Sequence, residues 1–386
     1  MNQPISPFTL AVSEDQLQDL LERMRRATLL NELPGAKWSY GPRPAFIGEL
    51  RDRLLDHYDW RAHEARINRC PQFTTRIDGE TIHFLHVRSG VLGAIPLLLI
   101  HGWPGSIVEF LDVIGPLATP GTDAKPGAPV FDLVIPSLPG FTLSGPTHQR
   151  GWNNGRIARA LIELMDRLGY ARFGVQGGDA GAIIGPEIGR LVPDRVIGVH
   201  VNAATLGFIP MTALSAEEIQ SLTVAERVRL ERLQRFMAEH SAFNTVQSMR
   251  PDALGYALND SPIGLLAWIS ELFTSFGDRP DAVDRDAVLT NFLLYWFTAT
   301  GGSSIRIYYE NAHDPSAWAP KANSGVPTAV AVFGHDEVPI RRCGESANTI
   351  VRWTEFDRGG HMASLEAPDL WTQDVQAFFG YLRRDS

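Results

Sequence analysis

Apolar residues change their spacing along the chain, and these changes divide it into segments. After Ser13 they recur at helical spacing, and Gln16 completes a capping-box pattern, so an amphipathic helix is predicted over about 14–26. A second helical period runs from Phe46 to Tyr58, after an irregular stretch that contains several prolines and glycines. Residues 1–70 are therefore expected to form an N-terminal helical segment.

From Phe73 the apolar period changes to two. The Asp78-Gly79 pair lies between alternating flanks, which is typical of a hairpin turn, so a hairpin is predicted over about 73–88. Short apolar runs that are typical of strands buried on both faces of a sheet follow at 95–100, 131–135, 173–176, 196–201 and 327–333. Helical stretches such as 156–168 separate several of these runs, so the pattern predicts an α/β protein with a mainly parallel sheet.

A different pattern covers residues 206–318. This part contains a long charged and apolar helical stretch, Ala216 to Glu239, and no run that is typical of a buried strand. We therefore expect an inserted helical lid at 206–318. Residues 71–205 and 319–386 would then form the two parts of the core.

Composition and charge exclude several classes of protein. Of the 386 residues, 44% are apolar and 20% are charged, which is ordinary globular usage. The formal charge of -9 and the lack of a Lys/Arg cluster argue against nucleic-acid binding. No signal peptide and no apolar stretch of about 20 residues is apparent, so a cytoplasmic protein is expected. Cys70 and Cys343 are too few for a disulfide framework or a cysteine-rich zinc site.

The most informative stretch is Gly177-Gly178-Asp179-Ala180-Gly181, at the end of one predicted strand and the start of a helix. It fits a nucleophile elbow of the form Gly-x-nucleophile-x-Gly, with Asp179 as the nucleophile. Side chains at 177 and 181 would clash in such a sharp turn. An alternative is a glycine-rich turn whose aspartate merely caps the helix.

Other strand ends carry residues that suit the same chemistry. His101 to Ser106 follow the strand that ends at Ile100, where an α/β-hydrolase places half of its oxyanion hole. Asp336 follows the strand that ends near Phe333, and His361 follows the run 350–356. Taken singly, Asp336 would be read as a turn residue and His361 as a surface or core histidine. Their order along the chain is nucleophile, acid and histidine, as this fold expects.

An aspartate nucleophile narrows the reaction. It would form an ester with the carbon that it attacks, and His361, oriented by Asp336, would activate water to hydrolyse that ester. Backbone N–H groups of Trp103 and Ala180 are the candidate oxyanion hole. An epoxide then needs an acid for its oxygen, whereas an alkyl halide needs donors such as indole N–H groups. The side chain of Ala180 offers no donor and the predicted lid contains several tyrosines, which favours the epoxide.

At these residues the chain resembles the epoxide hydrolase family, in the branch that includes the microsomal enzyme and its soluble bacterial relatives. The resemblance covers nearly the whole chain and rests on Pro7–Leu10, His101–Ser106, Gly177–Asp179, Leu258–Pro262, Tyr295–Phe297, Ile307–Tyr309 and Gly360-His361. It implies an α/β-hydrolase fold and an N-terminal segment that wraps the core and lid, here without the microsomal membrane anchor. It also implies that the enzyme needs no metal or other cofactor.

The resemblance assigns further roles around the pocket. Members of the family use two lid tyrosines as the acid, and one of them corresponds to Tyr308. The position of the other is occupied by Phe243, and Ala180 stands where the family usually has tryptophan. The substrate pocket is expected at Phe243, Trp103 and Pro104.

Two models of acid catalysis follow. Either Tyr308 acts alone, or a second phenol assists it, with Tyr256, Tyr295 and Tyr309 as candidates.

The leading hypothesis is an epoxide hydrolase that converts a bulky, apolar small-molecule epoxide to a vicinal diol. The resemblance favours Asp336 as the acid, because the acid of the family falls three residues after the phenylalanine that ends this strand, and Glu337 is the alternative. Two other functions remain open: a hydrolase similar to haloalkane dehalogenases, and a degenerate, non-catalytic ligand-binding protein. The sequence leaves a homodimer open as well.

Overall fold

A nine-stranded sheet forms the centre of the molecule. The structure is a computed structural model, and it describes residues 4–119, 127–210, 214–275, 281–335 and 338–384. The strands are β1 (Ser6–Phe8), β2 (Gln72–Ile77), β3 (Glu80–Val87), β4 (Ile95–Ile100), β5 (Phe131–Pro136), β6 (Phe173–Gly178), β7 (Val196–Asn202), β8 (Pro327–Val332) and β9 (Thr349–Glu355). Their order in the sheet is β1-β2-β3-β5-β4-β6-β7-β8-β9. The first three pairs in this order are antiparallel and all the others are parallel, which confirms the predicted mainly parallel sheet.

The predicted hairpin is present as β2 and β3. Asp78 and Gly79 join the two strands, and both have a positive φ, 50° and 84°. A two-residue loop of this kind matches the twist of the strands that it connects.

Helices occupy most of the remaining chain. They are α1 (Glu14–Arg26), α2 (Pro44–Asp56), α3 (Trp60–Asn68), α4 (Ile114–Ala118), α5 (Asn154–Arg167), α6 (Ala180–Leu191), α7 (Ala216–Ser221), α8 (Val224–Arg235), α9 (Ala242–Met249), α10 (Pro251–Asp260), α11 (Pro262–Ser275), α12 (Arg285–Phe297), α13 (Gly301–Ser304), α14 (Arg306–Ala312), α15 (Arg341–Glu345), α16 (Ala363–Glu366) and α17 (Pro368–Arg384). The predicted capping box of α1 is present, because Ser13 and Gln16 bond each other's backbone N–H groups.

Helices cover both faces of the sheet, as the alternation of residues in β7 makes clear. A Cβ on Gly198 would lie 2.8 Å from the Phe378 ring of α17, whereas the next residue, Val199, lies against Gly185 and Gly189 of α6. Successive residues of a strand point to opposite faces, so α6 and α17 lie on opposite sides of the sheet. Both faces are therefore buried, as the continuously apolar strands predicted.

Residues 206–318 form a helical region, and the structure describes no strand within its described residues. The helical stretch expected from Ala216 to Glu239 is interrupted: α7 ends at Ser221, α8 begins at Val224, and a π-helical turn follows at 236–240. The interruption has a local cause, because Leu222 is extended and Thr223 forms a capping box with Glu226 that starts a new helix.

The N-terminal residues contact both the sheet and the helical region. Strand β1 pairs with β2 at one edge of the sheet, while α1 and α2 pack against α11, and α2 also packs against α12. Arg53 of α2 and Asp286 of α12 form an ion pair with a 2.6 Å contact. Within the described ranges, no helix combines the length and the apolar character that crossing a bilayer requires.

Candidate active site

Asp179 lies at a sharp turn between β6 and α6. Its backbone has φ 53° and ψ -116°, a conformation that residues other than glycine rarely adopt. A Cβ on Gly177 would lie 2.2 Å from the carbonyl oxygen of Gly181, and one on Gly181 would lie 2.2 Å from that of Ile100. Both positions therefore require glycine, for the steric reason that the sequence indicated.

Two groups outside the following helix, the Trp103 N–H and the His361 side chain, contact the carboxylate of Asp179. It makes no capping hydrogen bond to α6, so the alternative in which it merely caps that helix is wrong. Oδ1 instead accepts the N–H of Trp103 at 3.0 Å. Burial raises the pKa of Asp179, but hydrogen bonds from His361 and from the N–H groups of Trp103 and Ala180 outweigh it, so the pKa lies below the usual aspartate range. The group is an anion at neutral pH.

His361 faces the other oxygen of this carboxylate. Its Nε2 lies 3.4 Å from Oδ2 of Asp179, and its side chain is mostly buried. The loop that carries it follows β9 and turns at Gly359, where φ is 84°. The carbonyl oxygen of Gly359 accepts the N–H of His335 at 3.0 Å, so this loop is joined to the turn after β8.

The predicted acid, Asp336, and its alternative, Glu337, lie outside the described residues. Their neighbours are described: a Cβ on Gly334 would lie 2.7 Å from the carbonyl oxygen of Asp357. The turn that precedes the acid is thus packed against the loop of His361, and the assignment of Asp336 stays a prediction.

The loop 101–106 brings the N–H of Trp103 to Asp179. A Cβ on Gly102 would lie 2.3 Å from Oδ1 of Asp179, so glycine is needed for this close approach. His101 is buried, and burial lowers its pKa to about 4, which keeps the ring neutral. Its two nitrogens bond the carbonyl of Gly102 and the N–H of Leu138, so its role is to hold the loop.

Helix α12 also supports this loop. The hydroxyl of Tyr295 donates to the carbonyl of Gly105 at 2.7 Å, and the Asn291 amide donates to the carbonyl of Pro104 at 2.7 Å. Asn291 had no role predicted from the sequence, and Tyr295 was a candidate only for a second acid. Nothing in the sequence pairs these helix residues with a loop about 190 positions away.

Three aromatic rings from three elements meet beside the carboxylate. Phe243 of α9 stacks on Trp103 with a centroid distance of 5.8 Å, and Tyr308 of α14 meets both rings edge-on, at 5.7 and 6.0 Å. Burial, followed by the charge of Asp179, raises the pKa of Tyr308 well above its usual value. Its phenol is therefore a protonated donor at neutral pH.

Comparisons with known proteins identify the family and the fold of this chain. The model of the epoxide hydrolase N terminus matches residues 5–110, and that of the alpha/beta hydrolase fold matches 95–368. Epoxide hydrolase 1 of Sus scrofa is 33% identical over 99% of this chain and 90% of its own. This chain belongs to the epoxide hydrolase family. It is a hydrolase with the α/β-hydrolase fold, as the resemblance implied.

Solved structures of epoxide hydrolases share this architecture. The Aspergillus niger epoxide hydrolase superposes with a TM-score of 0.86, is 32% identical, and matches over 98% of this chain and 97% of its own. The juvenile hormone epoxide hydrolase of Bombyx mori superposes with a TM-score of 0.82, at 28% identity and over 99% and 95% of the two chains.

Three further tyrosines of this epoxide hydrolase were candidates for a second acid, and their environments differ from that of Tyr308. The side chain of Tyr256 is 81% exposed on α10. Tyr295 is buried, but its hydroxyl is bonded to Gly105. Tyr309 stacks on His313 at 3.9 Å and lines a surface groove of about 800 Å³. None of the three contacts the ring of Trp103 as Tyr308 does.

The indole N–H of Trp103 is already engaged. It donates to Oγ of Ser304 in α13 at 3.2 Å. This bond explains how α13 holds the Trp103 ring in place beside Asp179. It also occupies the indole donor that a halide-binding site would require.

One buried acid of this epoxide hydrolase was not identified from the sequence. Glu109, in a short 3₁₀ turn at 107–110, is 9% exposed, and burial raises its pKa to about 8. An acidic residue in a short turn is ordinarily solvated, so no pattern pointed to it. Among the described residues, no group of three or more His, Cys, Asp or Glu side chains is arranged to hold a metal ion.

Proposed function

We propose that this enzyme opens an epoxide through an ester on Asp179 and releases a vicinal diol. The observation that carries the proposal is that the two oxygens of the Asp179 carboxylate have different partners. Oδ1 accepts the Trp103 N–H, the Ala180 N–H is a second backbone donor to the carboxylate, and Oδ2 lies 3.4 Å from His361. A carboxylate held in this way has one oxygen in a prospective oxyanion hole and the other available for attack.

In the first step, Oδ2 of Asp179 attacks an epoxide carbon and the carbon–oxygen bond of the ring breaks. Tyr308 gives its proton to the epoxide oxygen, which leaves a hydroxyalkyl ester and a phenolate. The ring contacts around Trp103 support Tyr308 in this role, because its ring adjoins both Trp103 and Phe243.

In the second step, His361 takes a proton from water as the water oxygen attacks Cγ of the Asp179 ester. The negative charge that develops on Oδ1 is stabilised by the N–H groups of Trp103 and Ala180. Collapse breaks the bond between Cγ and the alkyl oxygen, which takes the proton from His361. The new carboxylic acid returns its proton to the phenolate of Tyr308. Asp336 orients the imidazole in this proposal.

The proposed substrate is a bulky, apolar epoxide. The helical region 206–318 acts as a lid, and its Phe243 stacks on Trp103 to form an aromatic wall next to Pro104. Phe236 extends this wall, with a centroid distance of 6.4 Å to Phe243. Dehalogenation is disfavoured, because Ser304 occupies the indole N–H of Trp103 and Ala180 supplies no side-chain donor.

A single turnover in isotopically labelled water tests this mechanism. Enzyme in excess over an aryl epoxide should incorporate the heavy oxygen into the carboxylate of Asp179, because the proposed water attacks Cγ of the ester. Mass spectrometry of the peptide that carries Asp179 would detect it. Label found only in the diol would mean that water attacks the epoxide directly, and would contradict the proposal.

A further inference from the structure

The side chain of Glu109 lies against the loop 101–106, in the space that a side chain at position 105 would fill. An ideal Cβ on Gly105 would lie 1.5 Å from Oε1 of Glu109, so the carboxyl group takes the place that a residue larger than glycine would need. The Ser106 N–H bonds to this carboxyl group. Its position is thus fixed by the backbone of the same loop that presents the Trp103 N–H to Asp179.

The charges that shift the pKa of Glu109 are those of His361 and Asp179. His361 favours the ionised form of Glu109, and Asp179 opposes it. The turn 107–110 also packs against β5, α12 and α16. The titratable or charged residues on those three elements are Asp132, Arg285, Asp286, Tyr295 and Glu366.

All five of these residues have other partners. Asp132 accepts from Ser89, Arg285 pairs with Glu49, Asp286 pairs with Arg53, and Oε1 of Glu366 accepts the Met362 N–H. Tyr295 is bonded to Gly105. Changes in the charge of Asp179 and His361 during the reaction are therefore the ones to which Glu109 responds.

We infer that Glu109 is a positioning residue of the second half-reaction: it is neutral while Asp179 carries its charge, and it becomes the counter-charge of His361 once Asp179 is esterified. The inference rests on the proposed function, because it requires the ester. It assigns a role to a buried carboxyl group that the proposed mechanism otherwise leaves unused.

The charges explain why the two states would differ. In the free enzyme, burial holds the pKa of Glu109 at about 8, and the negative charge of Asp179 contributes to that rise. Esterification removes the charge of Asp179, so the pKa of Glu109 falls and its proton leaves to solvent. The anion then stabilises the imidazolium that forms when His361 takes a proton from water. When hydrolysis restores the Asp179 carboxylate, Glu109 takes up a proton again.

The test separates the two half-reactions of Glu109→Gln, which mimics the neutral acid. Rapid-quench mass spectrometry after mixing with an aryl epoxide would follow formation and decay of the Asp179 ester. We expect ester formation within about threefold of wild type, and hydrolysis slower by about tenfold, the equivalent of one pKa unit on His361. The hydrolysis rate should also lose one of the ionisations that shape its pH profile in wild type.

Glu109→Asp and Glu80→Gln are the matched variants. Aspartate keeps the ionisable group, so Glu109→Asp should retain the pH dependence that Glu109→Gln loses. Glu80 is as buried as Glu109, but its carboxylate bonds His148 instead of facing the site, so Glu80→Gln should leave both half-reactions unchanged. Equal loss of both half-reactions in Glu109→Gln, or an unchanged hydrolysis rate, would overturn the inference. Failure of the proposed function itself would look different, because no ester on Asp179 would form in the wild-type enzyme or in any variant.

Discussion

The carboxyl ends of the strands and the helical region 206–318 contribute to the same site in different ways. At the strand ends, backbone atoms hold the reacting groups: Gly102, Gly177 and Gly181 each allow a contact that a Cβ would block. The helical region contributes ring contacts instead, since Phe243 and Tyr308 pack on Trp103 at centroid distances near 6 Å. The first region constrains where the charges lie, and the second surrounds them with an apolar wall and one phenol.

This difference predicts which changes each region tolerates. Contacts of 2.2 Å between a Cβ and a carbonyl oxygen cannot relax without moving a strand, whereas stacked rings can be exchanged for rings of similar size. Substitutions in the helical region should therefore alter rate and selectivity while the nucleophile stays in place.

The largest effect in the helical region is expected for Tyr308→Phe. Loss of the phenol removes the donor for the epoxide oxygen, so ester formation should slow by about a hundredfold, while Asp179 remains the residue that is modified. Stopped-flow measurement of ester formation would check this. Tyr309→Phe is the control, because its ring stacks on His313 and lines another groove. Near-normal ester formation in Tyr308→Phe would mean that another group is the acid.

Substitution of Asp374, in α17, should lower the stability of the fold and leave catalysis unchanged. Asp374 is buried, accepts hydrogen bonds from His200 and Thr354, and forms an ion pair with Arg352. Burial raises its pKa, but these partners outweigh burial and lower the pKa to about 2. A lowered pKa stabilises the fold above the unfolded value near 3.8, and this contribution is lost as the pH falls toward 2.

Asp374→Asn should therefore lower the free energy of unfolding by about 2 kcal/mol at pH 7, and the difference from wild type should shrink below about pH 4. Urea unfolding at several pH values measures it. The control is Asp369→Asn, which breaks an exposed pair with Arg358 and should cost less than about 1 kcal/mol. A difference that stays constant down to pH 2 would show that ionisation of Asp374 contributes nothing to stability.

The smallest expected effect is a gain. Phe243→Tyr adds a phenol to a ring that contacts both Trp103 and Tyr308, and a second donor to the epoxide oxygen is worth about 1 kcal/mol, or roughly fivefold in ester formation. Phe236→Tyr places a hydroxyl one ring further out and should give no gain. If ester formation in Phe243→Tyr were equal to wild type or slower, the added hydroxyl would not reach the epoxide oxygen.

The strand ends could be predicted from the sequence because their requirements are local. A buried strand followed by Gly-x-Asp-x-Gly has few solutions, and the structure places Asp179, Trp103 and His361 together as that pattern suggested. The interruption of the helical stretch at Thr223 was not predicted, although the sequence contains its signal, because Thr223 and Glu226 have capping-box spacing.

Other parts of the site could not be predicted, because they depend on burial and on distant pairs. The pKa of Glu109 is raised because its turn is buried against α12 and α16 in the folded protein. Tyr295 reads as helix packing until its hydroxyl is seen on the carbonyl of Gly105. The local sequence pattern predicts neither the burial of a carboxyl group nor a hydrogen bond between residues 105 and 295.

Covalent labelling of the His361→Gln enzyme tests the central claim most directly. Without the base, the ester on Asp179 should form but hydrolyse very slowly, so mass spectrometry should find one substrate mass on the peptide that carries Asp179. A double variant with Asp179→Asn is the control and should remain unlabelled. Labelling at another residue, or a folded His361→Gln enzyme that turns over the epoxide without any adduct, would contradict Asp179 as the nucleophile.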